Sequence, residues 1–344
     1  MDLVASLLEG NRLSLARLIT QVENRTSEGL AALSELFPST GRAHLIGVTG
    51  APGTGKSSLV NQLTLAYRQP MKETSGRRKD PLRVAIVAVD PTSPFTGGAI
   101  LGDRVRMRDL AGDPGVFIRS MATRGSLGGL ASATAAVVQI LDAAGFDVIL
   151  IETVGAGQAE VDIARLAHTT LVIEAPGLGD EIQAIKAGLL EVADILVVNK
   201  ADHPGVEATE RALRGMLQLA HPVPHIFHHH GQLERVGTPP VGQIDQRGWI
   251  PPILRTVATE GIGIPDLMDS IDRHSQYLRE SGEWQRREAA RLENELNNLL
   301  LEALMSRFRT SMQEAHYGSV LSEVLARQLS PWQAVEVLIN GGNR

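Results

Sequence analysis

The 344-residue chain contains no cysteine. Disulfide bonds, cysteine-ligated zinc or iron–sulfur sites and cysteine nucleophiles are therefore excluded. Only five of the 33 basic residues are lysines, and aromatic residues make up only 3% of the chain. No apolar run approaches the roughly 20 residues that a membrane-spanning helix requires. The N-terminus lacks the basic and apolar segments of a secretory signal, so we expect a cytoplasmic protein without membrane contact.

The composition is otherwise that of a globular protein, with 43% hydrophobic and 21% charged residues. The net charge of −6 argues against a protein that binds nucleic acid mainly by electrostatic attraction. At roughly 150 residues per domain, the length predicts about two domains, or one domain with extensions.

Three regions differ in their hydrophobic pattern. Residues 1–41 carry apolar residues at helical spacing, which predicts an extension of two short helices with a break near residues 10–11. Residues 42–275 alternate apolar β-rich runs with helical patterns, and residues 276–344 are helical again. We therefore expect an N-terminal helical extension, a central domain and a C-terminal helical region.

The central region has the pattern of an α/β fold whose mainly parallel sheet is covered by helices on both faces. Strands are predicted at 44–49, 83–89, 116–118, 147–151, 170–173, 195–198 and 253–257. Helices are predicted at 56–67, 127–143, 180–192 and 206–220. The polar segment 70–81 is predicted to be a loop, and the proline-rich segment 221–252 has no assignable pattern.

A phosphate-binding loop (P-loop) follows the first predicted strand. Glycines there let backbone N–H groups turn toward phosphate oxygens, the lysine reaches the β- and γ-phosphates, and the serine hydroxyl binds Mg²⁺. Because a strand precedes the motif and a helical pattern follows it, its context is that of a P-loop NTPase. The predicted nucleotide-binding residues here are Gly50, Ala51, Pro52, Gly53, Thr54, Gly55, Lys56, Ser57 and Ser58.

A guanine-reading motif of the form N-K-x-D follows a later strand, with Asn199, Lys200 and Asp202. A carboxylate at Asp202 can accept both the ring N–H and the 2-amino N–H of guanine. Adenine lacks that donor pair, so the motif favours GTP over ATP. The backbone N–H groups of Val257 and Ala258, after the last strand, are predicted to meet the guanine carbonyl, although GTPases usually carry serine where Val257 stands.

Acidic residues at strand ends predict a magnesium shell and a γ-phosphate sensor. Glu152 and Gly155 form an E-x-x-G element where common GTPases have D-x-x-G, and Asp90 ends the second strand. Asp103 begins a following arginine-rich segment, for which capping or solvated charge is an equal alternative. Gln158 could position the attacking water. Lys56, Glu152, Gly155 and Gln158 are therefore the candidate catalytic residues, and Ser57, Asp90, Asp103 and Glu152 the candidate metal ligands.

Taken together, these elements resemble the MeaB/ArgK family of GTPases, which includes the methylmalonic aciduria type A protein. The resemblance covers about residues 1–275 well and the C-terminal helices more loosely. It rests on VTGAPGTGKSSLV (48–60), AVDPTSPFTGGAILGDRVRM (88–107), FIRSMATRGSLGGLA (117–131), FDVILIETVGAGQAE (146–160), APGLGDEIQAIKAG (175–188) and VVNKAD (197–202).

The resemblance implies a Mg²⁺-dependent GTPase that gates adenosylcobalamin loading and protects or reactivates an acyl-CoA mutase, usually methylmalonyl-CoA mutase. Cobalamin would be involved only through that client. Segments 91–108 and 153–164 correspond to switches, and segment 175–188 with Lys186 corresponds to a partner-responsive switch. Arg104, Arg106 and Arg108 in the first switch are candidate arginine fingers, although solvated helix charge is the favoured alternative. Because no glutamine adjoins Gly155, we expect slow intrinsic hydrolysis that the partner accelerates.

Two other functions are compatible with parts of the sequence. A nickel-insertion GTPase of the HypB or UreG kind would use the histidines at 221, 225 and 228–230, although HypB metal sites use cysteine and this chain has none. A small-molecule kinase of the arginine/ornithine transport type would need an acceptor pocket, and no such constellation stands out.

The C-terminal region predicts a homodimer, as the family resemblance also implies. A long amphipathic helix is predicted at 284–312. The same chain has no obvious surface that could cover the whole apolar stripe of this helix. The stripe comprises Leu292, Leu296, Leu299, Leu300, Ala303 and Leu304. A fold-back of the helix onto its own domain is the alternative.

Overall fold

The computed structural model divides into two compact units, residues 1–291 and 292–344. The structure describes residues 2–69, 80–91, 107–110, 112–123, 129–153, 159–177, 192–220, 244–245, 248–312 and 314–341. The predicted helix at 180–192 and loop at 70–81 fall almost entirely outside these ranges, as does most of segment 221–252.

A seven-stranded sheet forms the centre of the first unit. Its strands are β1 (His44–Gly50), β2 (Val84–Pro91), β3 (Val116–Thr123), β4 (Val148–Thr153), β5 (Thr169–Glu174), β6 (Ile195–Val198) and β9 (Ile253–Arg255). They lie in the order β3-β2-β4-β1-β5-β6-β9, and every neighbouring pair is parallel. A small antiparallel pair joins β7 (Ile244–Asp245) and β8 (Gly248–Trp249). The predicted α/β fold with a mainly parallel sheet is confirmed, and all seven predicted strands belong to this sheet.

Helices surround the sheet and extend the chain at both ends. In the first unit they are α1 (Leu3–Leu8), α2 (Arg12–Glu23), α3 (Ser27–Leu36), α4 (Lys56–Tyr67), α5 (Gly129–Ala143), α6 (Ala159–Leu166), α7 (Val206–Ala220) and α8 (Ile264–Ser281). The long helix α9 (Glu283–Ser311) begins in the first unit and continues into the second, which also holds α10 (Glu314–Leu325) and α11 (Pro331–Gly341). Across the described ranges, no helix combines the length and apolar character needed to cross a bilayer.

The N-terminal extension has three helices, so the prediction of two was incomplete. Arg25 adopts a left-handed φ of 53°, which ends α2, and the Thr26 hydroxyl then accepts a hydrogen bond from Gly29 N to cap α3. A Cβ atom at Gly29 would lie 2.9 Å from the carbonyl carbon of Gln21. The glycine therefore lets the two helices pack closely, a tertiary reason that helical periodicity does not reveal.

The middle residues of most strands are apolar because both faces of the sheet are covered. On one face Leu45 and Ala85 pack in a cluster with residues of α1–α3 and α5, and on the other Ile46 and Val48 pack with residues of α4 and α8. A third cluster joins α7 to β5 and β6. Polar side chains can therefore gather at the two ends of the parallel strands. We call these ends the carboxyl edge and the amino edge of the sheet.

Candidate functional site

The P-loop lies between the carboxyl end of β1 and the start of α4, as predicted for residues 50–57. Gly50, Gly53 and Gly55 adopt φ values of 141°, 82° and 92°. A Cβ atom at Gly50 would lie 2.1 Å from the Ile173 carbonyl oxygen, and one at Gly55 would lie 2.3 Å from Asn199 Nδ2. Both positions therefore require glycine, and both clashes are with the strands and loops beside β1.

Lys56 is buried at the first turn of α4 and is held by the P-loop itself. Its Nζ donates to the carbonyl oxygens of Gly50 (2.6 Å) and Ala51 (2.9 Å). The Thr54 hydroxyl also donates to the Ala51 carbonyl, at 2.9 Å. Phosphate oxygens entering the loop would offer the ammonium charged and therefore stronger acceptors than these carbonyl groups.

Ser57 and Glu152, two of the four predicted magnesium ligands, lie in direct contact. The Ser57 hydroxyl donates to Glu152 Oε1 at 2.5 Å, and Glu152 is buried near the carboxyl end of β4. Glu152 pairs with Val48 of β1 and Ala88 of β2, and this pairing places its carboxylate beside the strand that precedes the P-loop. A hydroxyl and a carboxylate are hard oxygen donors of the kind that Mg²⁺ prefers, so this pair fits that ion.

The other predicted metal and switch residues are described only in part. The backbone of Asp90 pairs with Ala122 of β3 at the same carboxyl edge, but its side chain lies outside the described part of the structure. Five further predicted residues lie wholly outside the described ranges, namely Asp103, Arg104, Gly155, Gln158 and Lys186.

The histidines of the nickel-insertion alternative, at 221, 225 and 228–230, are also outside the described ranges. Within those ranges, no group of three or more histidine, aspartate or glutamate side chains is placed to hold a metal ion.

Asn199 joins three loops at the carboxyl edge. Its Nδ2 donates to the Thr54 carbonyl at 2.8 Å, and its Oδ1 accepts from the Thr256 hydroxyl at 3.0 Å and from Ala258 N at 3.1 Å. Asn199 is buried, so all of these bonds are shielded from water. The sequence pointed to Asn199 through its motif but carried no signal for Thr256 as its partner.

Asp202 follows Asn199 on a turn in which Lys200 has a left-handed φ of 55°. The Asp202 side chain is 51% exposed and lies 3.8 Å from His203 Nε2. A half-exposed carboxylate on this turn can accept N–H donors from an incoming ligand, which is the role that the N-K-x-D pattern predicts for it.

The backbone N–H groups predicted to meet the guanine carbonyl are engaged within the protein. Val257 N donates to the Ile262 carbonyl at 3.0 Å, and Ala258 N donates to Asn199 Oδ1. Either group would have to exchange or share its partner to bind a base.

Comparison with known proteins identifies the family to which this site belongs. The family model described as "Methylmalonyl Co-A mutase-associated GTPase MeaB" matches residues 15–313. The chain belongs to the MeaB family. The resemblance inferred from the motifs is thereby confirmed, and so is the prediction that the protein is a GTPase.

Two MeaB relatives and one solved structure span nearly the whole chain. A putative GTPase of Pyrococcus horikoshii is 43% identical over 338 residues, covering 98% of this chain and 96% of that protein. A mitochondrial methylmalonic aciduria type A homolog of Caenorhabditis elegans is 29% identical, covering 98% and 81%. The crystal structure of an LAO/AO transport system kinase has a TM-score of 0.66 and 26% identity, covering 98% of this chain and 95% of that one.

Proposed function

We propose that this MeaB-family GTPase is a chaperone of an adenosylcobalamin-dependent acyl-CoA mutase, with methylmalonyl-CoA mutase as its client. The observation that carries the proposal is the match of residues 15–313 to a family described as mutase-associated. The relative named methylmalonic aciduria type A homolog supports it. GTP binding and hydrolysis would gate loading of the cofactor and protect or reactivate the mutase, and cobalamin would act through the client alone.

The geometry at the carboxyl edge supports particular roles in GTP hydrolysis. Residues 50–58 would surround the phosphates, with Lys56 turning from the Gly50 and Ala51 carbonyls to the β- and γ-phosphate oxygens. Ser57 and Glu152 would hold Mg²⁺, together with Asp90 and Asp103. The ion would supply positive charge that neutralises the phosphates when GTP is bound.

Base selection would depend on the Asp202 carboxylate and on the loops that Asn199 fastens to the P-loop. Segments 91–108, 153–164 and 175–188 would respond to the γ-phosphate and the client, with Gly155, Gln158, Arg104 and Lys186 as the residues concerned. Contact with the mutase would order these segments and accelerate a slow intrinsic reaction.

A homodimer formed through residues 276–344 is part of the proposal. Several leucines of the predicted stripe are exposed in the chain alone, including Leu296 at 66% and Leu304 at 53%. Apolar surface of this extent favours a symmetric partner, because a second copy offers the same stripe to each chain. Light scattering at micromolar concentration should report twice the chain mass; a monomer would contradict this part.

The chaperone function is tested by phosphate release from GTP with and without purified methylmalonyl-CoA mutase. We expect the cobalamin-dependent mutase to raise the hydrolysis rate by about tenfold or more, since ordering a switch can change GTPase rates by far larger factors. An acyl-CoA enzyme that does not use cobalamin serves as the control and should leave the rate unchanged. An unchanged rate with the mutase, and no complex by light scattering, would contradict the proposal.

A kinase acting on a small amino acid is the second candidate, because the similar solved structure is that of a protein named a transport system kinase. The N-K-x-D motif speaks against it, since kinases usually use ATP. Incubation with γ-labelled GTP or ATP and arginine or ornithine distinguishes the two functions. Label on the amino acid supports the kinase, whereas label only in free phosphate supports hydrolysis without an amino-acid acceptor.

A further inference from the structure

A second polar site lies at the amino edge of the sheet, opposite the P-loop. His168 immediately precedes β5 and Asp194 immediately precedes β6, and their partners Glu288 and Arg287 lie in the first turns of α9. All four residues belong to the first compact unit. We call His168, Asp194, Arg287 and Glu288 the basal latch, because they fasten the start of α9 to the sheet.

Asp194 forms the permanently charged half of the basal latch. Its two carboxylate oxygens accept from both terminal nitrogens of Arg287, at 2.7 and 2.8 Å, and one also accepts from Thr170 N at 2.8 Å. His274 Nε2 lies 3.2 Å from the other oxygen. Burial alone would raise the pKa of Asp194, but His274 and Arg287 outweigh burial and lower the pKa to about 2. This ion pair therefore persists throughout the neutral and mildly acidic range.

His168 forms the other half and is held in one protonation state. Leu45 N donates to its Nδ1 at 3.1 Å, and its Nε2 lies 3.2 Å from Glu288 Oε2. A ring nitrogen that accepts an N–H bond carries no proton, so His168 is neutral with its proton on Nε2, directed at Glu288. The indole of Trp284 stacks on the same imidazole, with ring centroids 3.9 Å apart.

We propose that His168 makes the attachment of α9 to the sheet sensitive to pH. A second proton, on Nδ1, would face the Leu45 N–H across the present hydrogen-bond distance, where two donors repel each other. The protonated ring would have to leave this position. Its stacking on Trp284 and its bond to Glu288 would then be lost. The first turns of α9 would then be held mainly by Arg287, which pairs with Asp194 and also donates to the His168 carbonyl at 2.7 Å.

The surroundings of His168 lower its pKa on balance, so they oppose binding of the second proton. Burial lowers the pKa of His168, and the Glu288 carboxylate opposes that effect, while Arg291 and Arg287 add to the lowering. Burial would raise the pKa of Glu288, but His168 and Arg291 outweigh it and lower the pKa to about 2. Glu288 therefore stays ionised while the imidazole titrates.

His44, on β1, lies near His168, with 6.2 Å between the ring centroids, and does not compete with it for the second proton. Its Nε2 lies 2.7 Å from the Thr169 hydroxyl, which also lies 2.9 Å from His274 Nδ1. Burial lowers the pKa of His44 well below its usual value, with His168, His274 and Arg279 acting in the same direction and Asp194 opposing them. Arg279 stands over the Trp284 ring, with 4.0 Å between its guanidinium carbon and the ring centroid.

The lowered pKa of His168 determines the direction of the pH effect. A histidine whose pKa is lower in the folded state than the value of about 6.5 in an unfolded chain binds fewer protons when folded. Its contribution to stability is present above pH of about 6.5 and is lost as the pH falls toward the folded-state pKa. The latch should therefore be closed at neutral pH and should open as the pH falls through a midpoint below about 6.5.

Tryptophan fluorescence tests the proposal, because Trp284 lies against the titrating ring. Trp332, in the second unit, is exposed and is replaced by phenylalanine so that only Trp249 and Trp284 report. Lowering the pH of full-length W332F from about 8 to about 5 should give a fluorescence transition with a midpoint below about 6.5. His168→Asn should abolish the transition, because its Oδ1 can still accept from Leu45 N–H but cannot titrate.

His316→Asn is the matched control, since His316 lies on α10 of the second unit, and it should leave the transition unchanged. Hydrogen–deuterium exchange on the unaltered chain, corrected for intrinsic rates, gives a test that needs no variant. Below the midpoint, peptides covering 283–291 should lose protection while those of β1 and α4 keep theirs. A transition that persists in His168→Asn, or protection of 283–291 that does not change with pH, would overturn the proposal.

Discussion

The two edges of the central sheet organise polar groups in different ways. At the carboxyl edge, backbone carbonyl groups hold Lys56, glycines open the loop, and Asn199 connects segments through single hydrogen bonds. At the amino edge, ionised and aromatic side chains satisfy one another, as in the Asp194–Arg287 pair and the His168–Trp284 stack. At the carboxyl edge, a ligand can replace the carbonyl groups that bind Lys56. At the amino edge, the polar and aromatic side chains contact one another instead.

This difference implies that the two edges can be perturbed separately. A change at the carboxyl edge should alter nucleotide chemistry and should cost less stability than a change in the ion pair of the amino edge. A change at the amino edge should alter stability or the attachment of α9 while nucleotide binding persists. Single substitutions at each edge can test that separation.

Lys56→Ala should have the largest effect on activity. Loss of the fixed ammonium should lower the GTP hydrolysis rate by about 100- to 1,000-fold, as for loss of one charge-stabilising donor in other enzymes. Because Lys56 also donates to two P-loop carbonyls, the free energy of unfolding should fall by about 1 kcal/mol. Phosphate release and urea unfolding measure the two effects. Turnover within about tenfold of the unaltered rate would show that the P-loop assignment is wrong.

Arg287→Ala should have the largest effect on stability. It would leave the buried Asp194 carboxylate without its bidentate partner, and breaking such a pair costs about 3 kcal/mol or more. Arg286→Ala is the matched control on the same helix, because that side chain is 74% exposed and pairs only at the surface with Glu283. Urea unfolding should separate the two variants clearly, with GDP affinity unchanged in both. Equal stabilities would mean that the amino edge does not hold α9.

Asn199→Ala should have a smaller effect, and it should lower both the stability of the protein and its affinity for GDP. Three hydrogen bonds to Thr54, Thr256 and Ala258 would be lost, leaving buried groups unpaired at about 1–3 kcal/mol. Since these bonds align the P-loop with the N-K-x-D turn and with residues 256–258, GDP affinity measured by calorimetry should fall by about tenfold or more. Normal GDP affinity in a stable variant would show that the alignment does not depend on Asn199.

The place of the P-loop could be predicted from the sequence because its motif is short and local. Residues 50–57 carry their glycines, lysine and serine within one loop, and apolar strands of the correct length placed that loop at a sheet edge. The contact between Ser57 and Glu152 was expected only in outline, since their side chains meet across 95 residues of sequence.

The amino edge could not be predicted in the same way. His168 and Glu288 are 120 residues apart, and Asp194 and Arg287 are 93 apart, so no local spacing brings them together. One signal was present in the sequence: Trp284, Arg287, Glu288 and Arg291 have the i, i+3, i+4, i+7 spacing of one helix face. Because three of these residues are charged, the pattern is typical of a solvated face, and only the tertiary structure shows that it packs against the sheet.

Guanine recognition by Asp202 is the central claim for the nucleotide site, and calorimetry on Asp202→Asn tests it most directly. The variant should bind GDP about 2–4 kcal/mol more weakly, because a charged acceptor for two guanine donors is lost. It should gain affinity for xanthosine diphosphate, whose base has a carbonyl where guanine has the amino group. His203→Asn is the control, since His203 is similarly exposed beside Asp202, and it should bind GDP normally. Unchanged GDP affinity in Asp202→Asn, with no gain for xanthosine diphosphate, would contradict the account.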